Sequence, residues 1–413
     1  MKILSAYKVY LILQGATALF FSMVFTVNLV HQATVVHLDP LQLVLVGTLL
    51  ESVVFICEVP TGVVADVYSR RLSIIIGTAL IGLGFMVEGS VPLFGMVLVA
   101  QVLWGIGATF MSGATEAWIS DEVGEAAAGQ AFLRGSQAGQ IGGLVGIGAS
   151  VTLASMRINL PILTGGMLFI LLSLFLILTM PEQGFRPTPA EKRNSWQNMA
   201  HTLRGGLNMV RLRPALFTIL GIGLFYGISS EGFDRLWTKH ILDNFMLPRL
   251  NGFQPVVWFG VMNAVGMLLS IGATELARRR LNTNSHFGVA RALFATTALL
   301  VLSQITFAWL NRFALALAAY WCIYVIRSVS GPIYTTWVNQ RLDSRVRATV
   351  LSMSSQVNAI GQIAGGPVVG LVGKLASVRM ALTLSGLMLS PALALYSRSI
   401  RLDAGIPLME PEQ

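Results

Sequence analysis

The sequence predicts an all-α membrane protein with twelve transmembrane helices in two pseudo-symmetric six-helix bundles. Three observations carry this expectation. First, the 413 residues are 54% hydrophobic and only 11% charged. An average soluble domain is roughly 25% charged, so a chain this long lacks the polar residues for a water-facing surface. Second, apolar runs long enough to cross a bilayer recur twelve times. Third, the longest polar connection divides those runs six and six. The same composition excludes a disordered chain, a collagen and a disulfide scaffold. The 41 glycines suit transmembrane helices. Cys57 and Cys322 sit inside apolar runs and form no framework of bridges.

A hydrocarbon core of roughly 30 Å needs about 20 apolar residues per helix. In the first half the runs are Tyr7 to Val36, Leu41 to Ala65, Leu72 to Glu88, Leu93 to Ile119, Gly129 to Leu153 and Leu160 to Met180. In the second they are Pro214 to His240, Gln254 to Ala277, Phe287 to Leu310, Phe313 to Val338, Ala348 to Val372 and Met380 to Ser397. A barrel would show alternating strands of about ten residues instead. Unpaired backbone cannot face lipid, so these runs must be helices. The first run is far longer than the apolar region of a leader peptide, and no cleavable leader is expected.

The net charge of +9 is explained by placement. With both termini cytoplasmic, twenty of the 28 basic residues fall at inner ends and loops, six fall outside, and Arg235 and Arg327 lie within helices. This asymmetry sets the orientation. The basic excess is therefore a topology signal and no nucleic-acid footprint. The expected divisions are an N-terminal bundle over 1–180, a cytoplasmic linker over 181–213, and a C-terminal bundle with a short tail over 214–413. In the linker Trp196, Met199, Leu203, Leu207 and Val210 recur at three and four residues, with Arg193, Arg204 and Arg211 off that stripe. That pattern predicts an amphipathic helix lying on the cytoplasmic leaflet.

The halves echo each other. Ser112-Gly113 before Trp118 parallels Ser330-Gly331 before Trp337. Gln140-Ile141-Gly142-Gly143 parallels Gln362-Ile363-Ala364-Gly365-Gly366. Repeated halves mark secondary transporters, which bind cargo near the midplane.

Between the second and third runs the chain reads Gly62-Val63-Val64-Ala65-Asp66-Val67-Tyr68-Ser69-Arg70-Arg71. This resembles the loop signature G-x-x-x-D-R-x-G-R-R/K of the major facilitator superfamily. The Gly, the Asp and both terminal basic positions match; Val67 and Ser69 depart from it. The resemblance implies a rocker-switch transporter in which Asp66, Arg70 and Arg71 form an inner gate and Gly62 admits a neighbouring helix. Asp66 at a helix end is suited to accept from helix N-termini and from an Arg. Glu58-Val59-Pro60-Thr61-Gly62 and the stretch Ser230 to Trp237 look like bacterial drug-efflux members. Two departures are notable. Gln101 stands where drug:proton antiporters often carry an Arg. The stripe Gly135, Gly139 and Gly143 lacks their Pro, and the nearest Gly-Pro is Gly366-Pro367. The most familiar coupling residues are thus absent.

An ionisable group at bilayer depth costs at least about 2.5–3.5 kcal/mol, which makes each one a functional candidate. Glu51 and Glu58 are seven apart on one face of the second helix. They are candidate proton sites, with helix–helix hydrogen bonding as the structural alternative. The fourth helix aligns Gln101, Gly105, Thr109, Ser112 and Glu116. Glu116 is expected to pair with Arg134 or Arg345 at the gate, and Arg345 and Arg347 to meet Asp66 or Glu116. The seventh helix presents Tyr226, Ser230, Phe233, Asp234 and Trp237 at spacings of three and four. Glu231 lies deeper and is the preferred proton carrier, with an ion pair to Arg327 or another base as the alternative. Asp234 and Arg235 point about 100° apart and need different partners. The tenth helix places Tyr320, Tyr324, Arg327, Gly331 and Tyr334 on one face. Such rings bind flat or cationic compounds by stacking and cation–π contact, or simply pack. Asn28, His31 and Gln32 line the outer end of the first helix or bond it to a neighbour.

No nucleotide loop, dinucleotide fingerprint, nucleophilic triad or metal-ligand spacing is present in the sequence. The chain is therefore expected to be no enzyme and to carry no cofactor or metal. The sequence reading is a monomeric, proton-coupled efflux antiporter in a bacterial inner membrane. Its partners would be small amphipathic drugs, protons and the lipid bilayer. Another cargo, such as a metabolite, siderophore or lysolipid, and a non-transporting receptor are the alternatives.

Overall fold

The structure, a computed structural model, describes residues 4–187, 214–248, 255–280, 285–340 and 344–404, setting aside the side chains at 214, 215, 344–349 and 402–404. The expected amphipathic linker helix and the side chains of Arg345 and Arg347 lie outside the described residues. Among the described residues the regular structure is all helical, in fifteen segments. The first half comprises α1 (Ala6–Phe25), α2 (Asn28–Thr34), α3 (Pro40–Val67), α4 (Arg70–Ser90), α5 (Phe94–Met111), α6 (Ala114–Val123), α7 (Glu125–Met156) and α8 (Leu160–Thr179). The second comprises α9 (Pro214–Asn244), α10 (Val257–Arg280), α11 (His286–Trp309), α12 (Phe313–Gln340), α13 (Ser344–Leu375), α14 (Val378–Met388) and α15 (Ser390–Ala404).

Among the described residues, eleven spans are long and apolar enough to cross a membrane. The predicted run Ala348 to Val372 falls in α13, which is 32 residues long. Its first half carries Ser352, Ser354, Ser355, Gln356 and Asn358, which lower its hydropathy.

Three predicted runs are each built from two helices. The first breaks at Thr26 and Val27, so Asn28, His31 and Gln32 ride on the separate segment α2. The fourth breaks at Ser112-Gly113, where Gly113 has φ +69, a left-handed conformation open to a residue without Cβ. The twelfth breaks at Leu389.

Helix starts follow local chemistry. Asp39 accepts from the Gln42 amide while the Gln42 side chain accepts from the Asp39 amide, a capping box with Pro40 in the first turn. Ser69, Ser285 and Ser377 cap α4, α11 and α14 in the same sense, each accepting from an amide three residues on.

Backbone proximity defines two units, Met1–Met199 with Leu247–Ala264, and Ala200–Met246 with Val265–Gln413. In the first, α1 packs on α7 with backbones almost touching. A Cβ on Gly142 would lie 2.2 Å from the Gly15 carbonyl oxygen. An aromatic cluster of Phe21, Phe25, Phe85, Trp104 and Phe169 fills the space beside α1, with ring centroids 4.8–6.1 Å apart. In the second unit α9 packs on α13 in the same manner. A Cβ on Gly227 would lie 2.0 Å from the Asn358 carbonyl oxygen. These are the small-residue contacts by which helices associate where apolar burial drives nothing. At Gly62, by contrast, a Cβ would meet nothing within 4 Å. The expected close helix approach there is not built among the described residues.

Candidate functional site

Polar groups gather within the helices of each unit. In the second unit the site begins on α9. Its one-turn spacing brings Glu231 and Arg235 together, and Arg235 Nε donates to Glu231 Oε1 at 2.8 Å. Glu231 is buried, with 4% of its side chain exposed. One turn along, Asp234 points to α12, where Arg327 donates through both terminal nitrogens to the two carboxylate oxygens, the second contact at 2.8 Å. The expectation of different partners for Asp234 and Arg235 is met. Glu231 takes Arg235, and Asp234 takes Arg327. Four charges thus form two local pairs, and the geometry of the second is the fork against a carboxylate that gives the strongest such contacts.

Arg327 also lines a cavity of about 340 Å³. Tyr226 and Tyr334 stand in its wall with Ser330, Gly331, Ser354 and Asn358. Several of these polar groups are held. The Tyr226 hydroxyl bonds Thr297 at 2.6 Å. The Tyr334 hydroxyl donates to the Ile219 carbonyl at 3.1 Å and lies 3.0 Å from the Ser354 hydroxyl. The Asn358 amide nitrogen donates to the Gly223 carbonyl, and its oxygen accepts from Gln362. The Ser330 hydroxyl is buried without a partner among the described residues.

The other predicted aromatic positions sit elsewhere. Phe233 is buried against Phe307, centroids 5.7 Å apart. Tyr320 packs on Trp237 at 4.6 Å and on Tyr324 at 6.2 Å. These three positions pack, whereas Tyr226, Arg327 and Tyr334 converge. Sequence reasoning missed Ser330, Ser354 and Asn358 as cavity residues. The short polar run of α13 was the available signal.

In the first unit the predicted Asn28 and Gln101 meet around a residue not singled out in the sequence, Glu88. The residue is 1% exposed. Asn28 and Gln32 donate to Glu88 Oε1 at 2.9 and 2.7 Å, and Gln32 also donates to Asn28 at 2.9 Å. Gln101 approaches Glu88 Oε2 at 3.4 Å. Amide dipoles from α2 and α5 therefore converge on a buried carboxyl of α4. Glu88 closes a predicted apolar run, where a charge reads as a helix end. The i, i+4 pair of amides, Asn28 and Gln32, was the signal of a polar partner.

At the loop-motif end, Arg70 pairs with Asp121 and donates to the Ala117 carbonyl at 2.8 Å. Arg71 donates to the Ile177 carbonyl at 2.5 Å. Glu182 accepts from the Ser69 hydroxyl at 2.6 Å and the Arg71 amide at 2.8 Å, fixing the N-terminus of α4. Asp66 is exposed and has no partner among the described residues. Glu116 is exposed and lines a cavity of about 550 Å³ with Gln14, Thr17 and Thr115. The described Arg134 bonds Gln137 at 3.3 Å and makes no ion pair with Glu116. Of the two expected partners of Glu116, Arg134 turns to Gln137 instead, and the side chain of Arg345 lies outside the described residues. Glu51 is half-buried and Glu58 exposed, both on α3.

Comparison with known proteins agrees with this architecture. The chain is 23% identical over 339 residues to an uncharacterised MFS-type transporter, YxaM, of Bacillus subtilis (strain 168), covering 81% of each chain. Among solved structures it is similar to the nucleoside transporter NupG, with TM-score 0.73, 13% identity, and coverage of 98% of this chain and 100% of that one. It is also similar to a POT family transporter in complex with 5-aminolevulinic acid, with TM-score 0.72, 12% identity and 96% coverage of each chain. A bacterial homologue of the human lysosomal transporter Spinster gives TM-score 0.72, 15% identity, and coverage of 98% and 99%. These likenesses show the fold. The Major Facilitator Superfamily matches residues 10–366. By that match across most of its length, together with its apolar helices, this multi-pass membrane protein belongs to the Major Facilitator Superfamily of transporters.

Proposed function

We propose that this transporter is a proton-coupled efflux antiporter of a bacterial inner membrane. It exports small amphipathic compounds by alternating access, with both termini cytoplasmic. The observation that carries the reading is the pairing on α9. Glu231–Arg235 and Asp234–Arg327 set two acid–base pairs one turn apart, the second at the wall of a cavity. A carboxyl held by a base inside a bundle has two states, paired and charged or released and protonated, and cargo at the same Arg biases the choice. Glu231 and Asp234 are the proton-exchanging groups in this reading, with Glu51 as a further candidate. Tyr226, Arg327 and Tyr334 contact cargo. Asp66, Arg70 and Arg71, with Asp121 and Glu182, set the motif end of the first unit.

The test is a susceptibility panel of amphipathic antimicrobials in an efflux-deficient bacterial host. Wild type is expected to raise tolerance to at least one compound class, and Glu231→Gln with Glu51→Gln is expected to abolish it at equal expression. Unchanged tolerance in the double variant would remove Glu231 and Glu51 from the proton assignment, and unchanged tolerance with Asp234→Asn added would remove the assignment itself.

A further inference from the structure

We infer that the Arg327 cavity takes the carboxylate of an amphipathic organic acid, which replaces Asp234 on the guanidinium and gains the Ser330 hydroxyl. This rests on reading the same cavity as the cargo site and names the cargo class.

The argument starts from which polar groups are uncommitted. Tyr226, Tyr334 and Asn358 are engaged with protein partners. The Ser330 hydroxyl, 5% exposed as a residue, has no partner among the described residues and sits in the cavity wall. A buried hydroxyl without a hydrogen bond is costly, and one retained in a cavity wall is placed for a ligand. Ser330 lies three residues after Arg327 on α12, so the two present one face of the helix. Arg327 is the charged residue of the lining. The site therefore offers a cation and a hydroxyl donor side by side.

Asp234 already occupies two N–H groups of Arg327, and a guanidinium has five. The pair is not sealed by packing: its side chains are 34% and 42% exposed, and Asp234 is outside the lining. An incoming carboxylate has the same planar pair of oxygens as Asp234. Exchanging one for the other keeps the ionic contact at Arg327; the released Asp234 carboxyl, 42% exposed, takes up a proton or is solvated, and the cargo gains the Ser330 bond. The rings of Tyr226 and Tyr334 and the side chain of Ile222 supply apolar wall for the rest of the molecule. A cationic amphipath would face the guanidinium, and a neutral one would leave Asp234 in place. Charge thus selects against both.

The experiment uses the purified full-length protein in nanodiscs, without any gradient. Thermal stabilisation is measured with three probes of one shape, 2-naphthoate, 2-naphthamide and 2-naphthylmethylamine. Only naphthoate is expected to stabilise wild type. Ser330→Ala should leave the ligand-free melting temperature no lower than wild type, because only an unpartnered, costly hydroxyl is lost. It should also weaken naphthoate about tenfold, the value of one hydrogen bond to a charged group. Asp234→Asn, which removes the competitor, should tighten naphthoate; where it fails to fold, Ser330→Ala alone decides. Equal stabilisation by the amine or the amide overturns the inference, as does unchanged naphthoate affinity in Ser330→Ala or absence of stabilisation at about 1 mM. Selective naphthoate binding without gradient-driven transport would fault the proton-coupled reading and leave this site standing. Gradient-driven transport of cationic cargo without naphthoate binding would fault this inference alone.

Discussion

Arg327 on α12 holds both carboxylate oxygens of Asp234 on α9, 93 residues away in sequence. This contact ties two helices of the second unit at the wall of its cavity. A paired charge taken from water is stabilised by its partner and destabilising without it. Because the pair is about a third exposed, the cost of breaking it is moderated by solvent. Arg327→Gln or Asp234→Asn alone should cost about 1–3 kcal/mol, and the double variant should recover most of that. Melting temperatures of the four proteins in one detergent give the coupling directly; additive losses would mean that the two residues do not act as a pair.

The Glu88 cluster should be structural first. Glu88→Leu strands the donors of Asn28 and Gln32, each worth about 1–3 kcal/mol when buried and unsatisfied. Glu88→Gln keeps one acceptor and brings donors toward the carbonyl oxygens of Gln32 and Gln101, which are buried without partners among the described residues. The Leu variant should lose several degrees of melting temperature, and the Gln variant should stay within a degree or two of wild type. Equal losses in both would show that the charge of Glu88, and no hydrogen bond, is what the first unit needs.

Two glycines give opposite outcomes. Gly227→Ala places a Cβ 2.0 Å from the Asn358 carbonyl oxygen, forcing α9 from α13. Overpacking of this kind costs about 1–3 kcal/mol. Gly62→Ala meets nothing within 4 Å and replaces a poor helix former by the best, a gain of up to about 1 kcal/mol. Thermal melts of the two variants should move in opposite directions. A destabilised Gly62→Ala would restore the helix approach that the loop motif implies.

The Gly331 position reports on the cavity itself. It lies in the cavity wall, and a Cβ there meets nothing within 4 Å. Gly331→Leu should fill part of the 340 Å³ space while α12 remains folded. Binding of amphipathic probes should then fall by about tenfold or more with melting temperature preserved. Retained binding would place the cargo elsewhere.

The helical architecture was legible because the bilayer dictates it: few charges, twelve apolar runs and a motif after the second. Asp234, Arg327, Tyr226 and Tyr334 were legible as exceptions to that apolarity and as residues sharing helix faces. Their pairing was not. Spacing separates Asp234 from Arg235 on α9, but the choice of Arg327 as partner depends on how α9 and α12 pack. Glu88 was hidden for a simpler reason. At the end of an apolar run a carboxylate looks like a boundary, and its partners Asn28 and Gln32 come from a helix segment about sixty residues away. Aromatic periodicity picked out more positions than line this cavity, since Phe233, Tyr320 and Tyr324 obey the same spacing and pack against rings. Asp66 matched the family motif, whereas among the described residues the ion pairing at that end runs through Arg70 and Asp121.

The central claim is that proton exchange at α9 drives transport. Its most direct measurement is counterflow of a transported amphipathic probe in proteoliposomes under an imposed pH gradient, comparing wild type with Glu231→Gln and Asp234→Asn. The account predicts gradient-accelerated flux in wild type. It predicts loss of that acceleration in the variants, with equilibrium exchange retained in at least one of them. Flux indifferent to the gradient in wild type, or full acceleration in both variants, would contradict it.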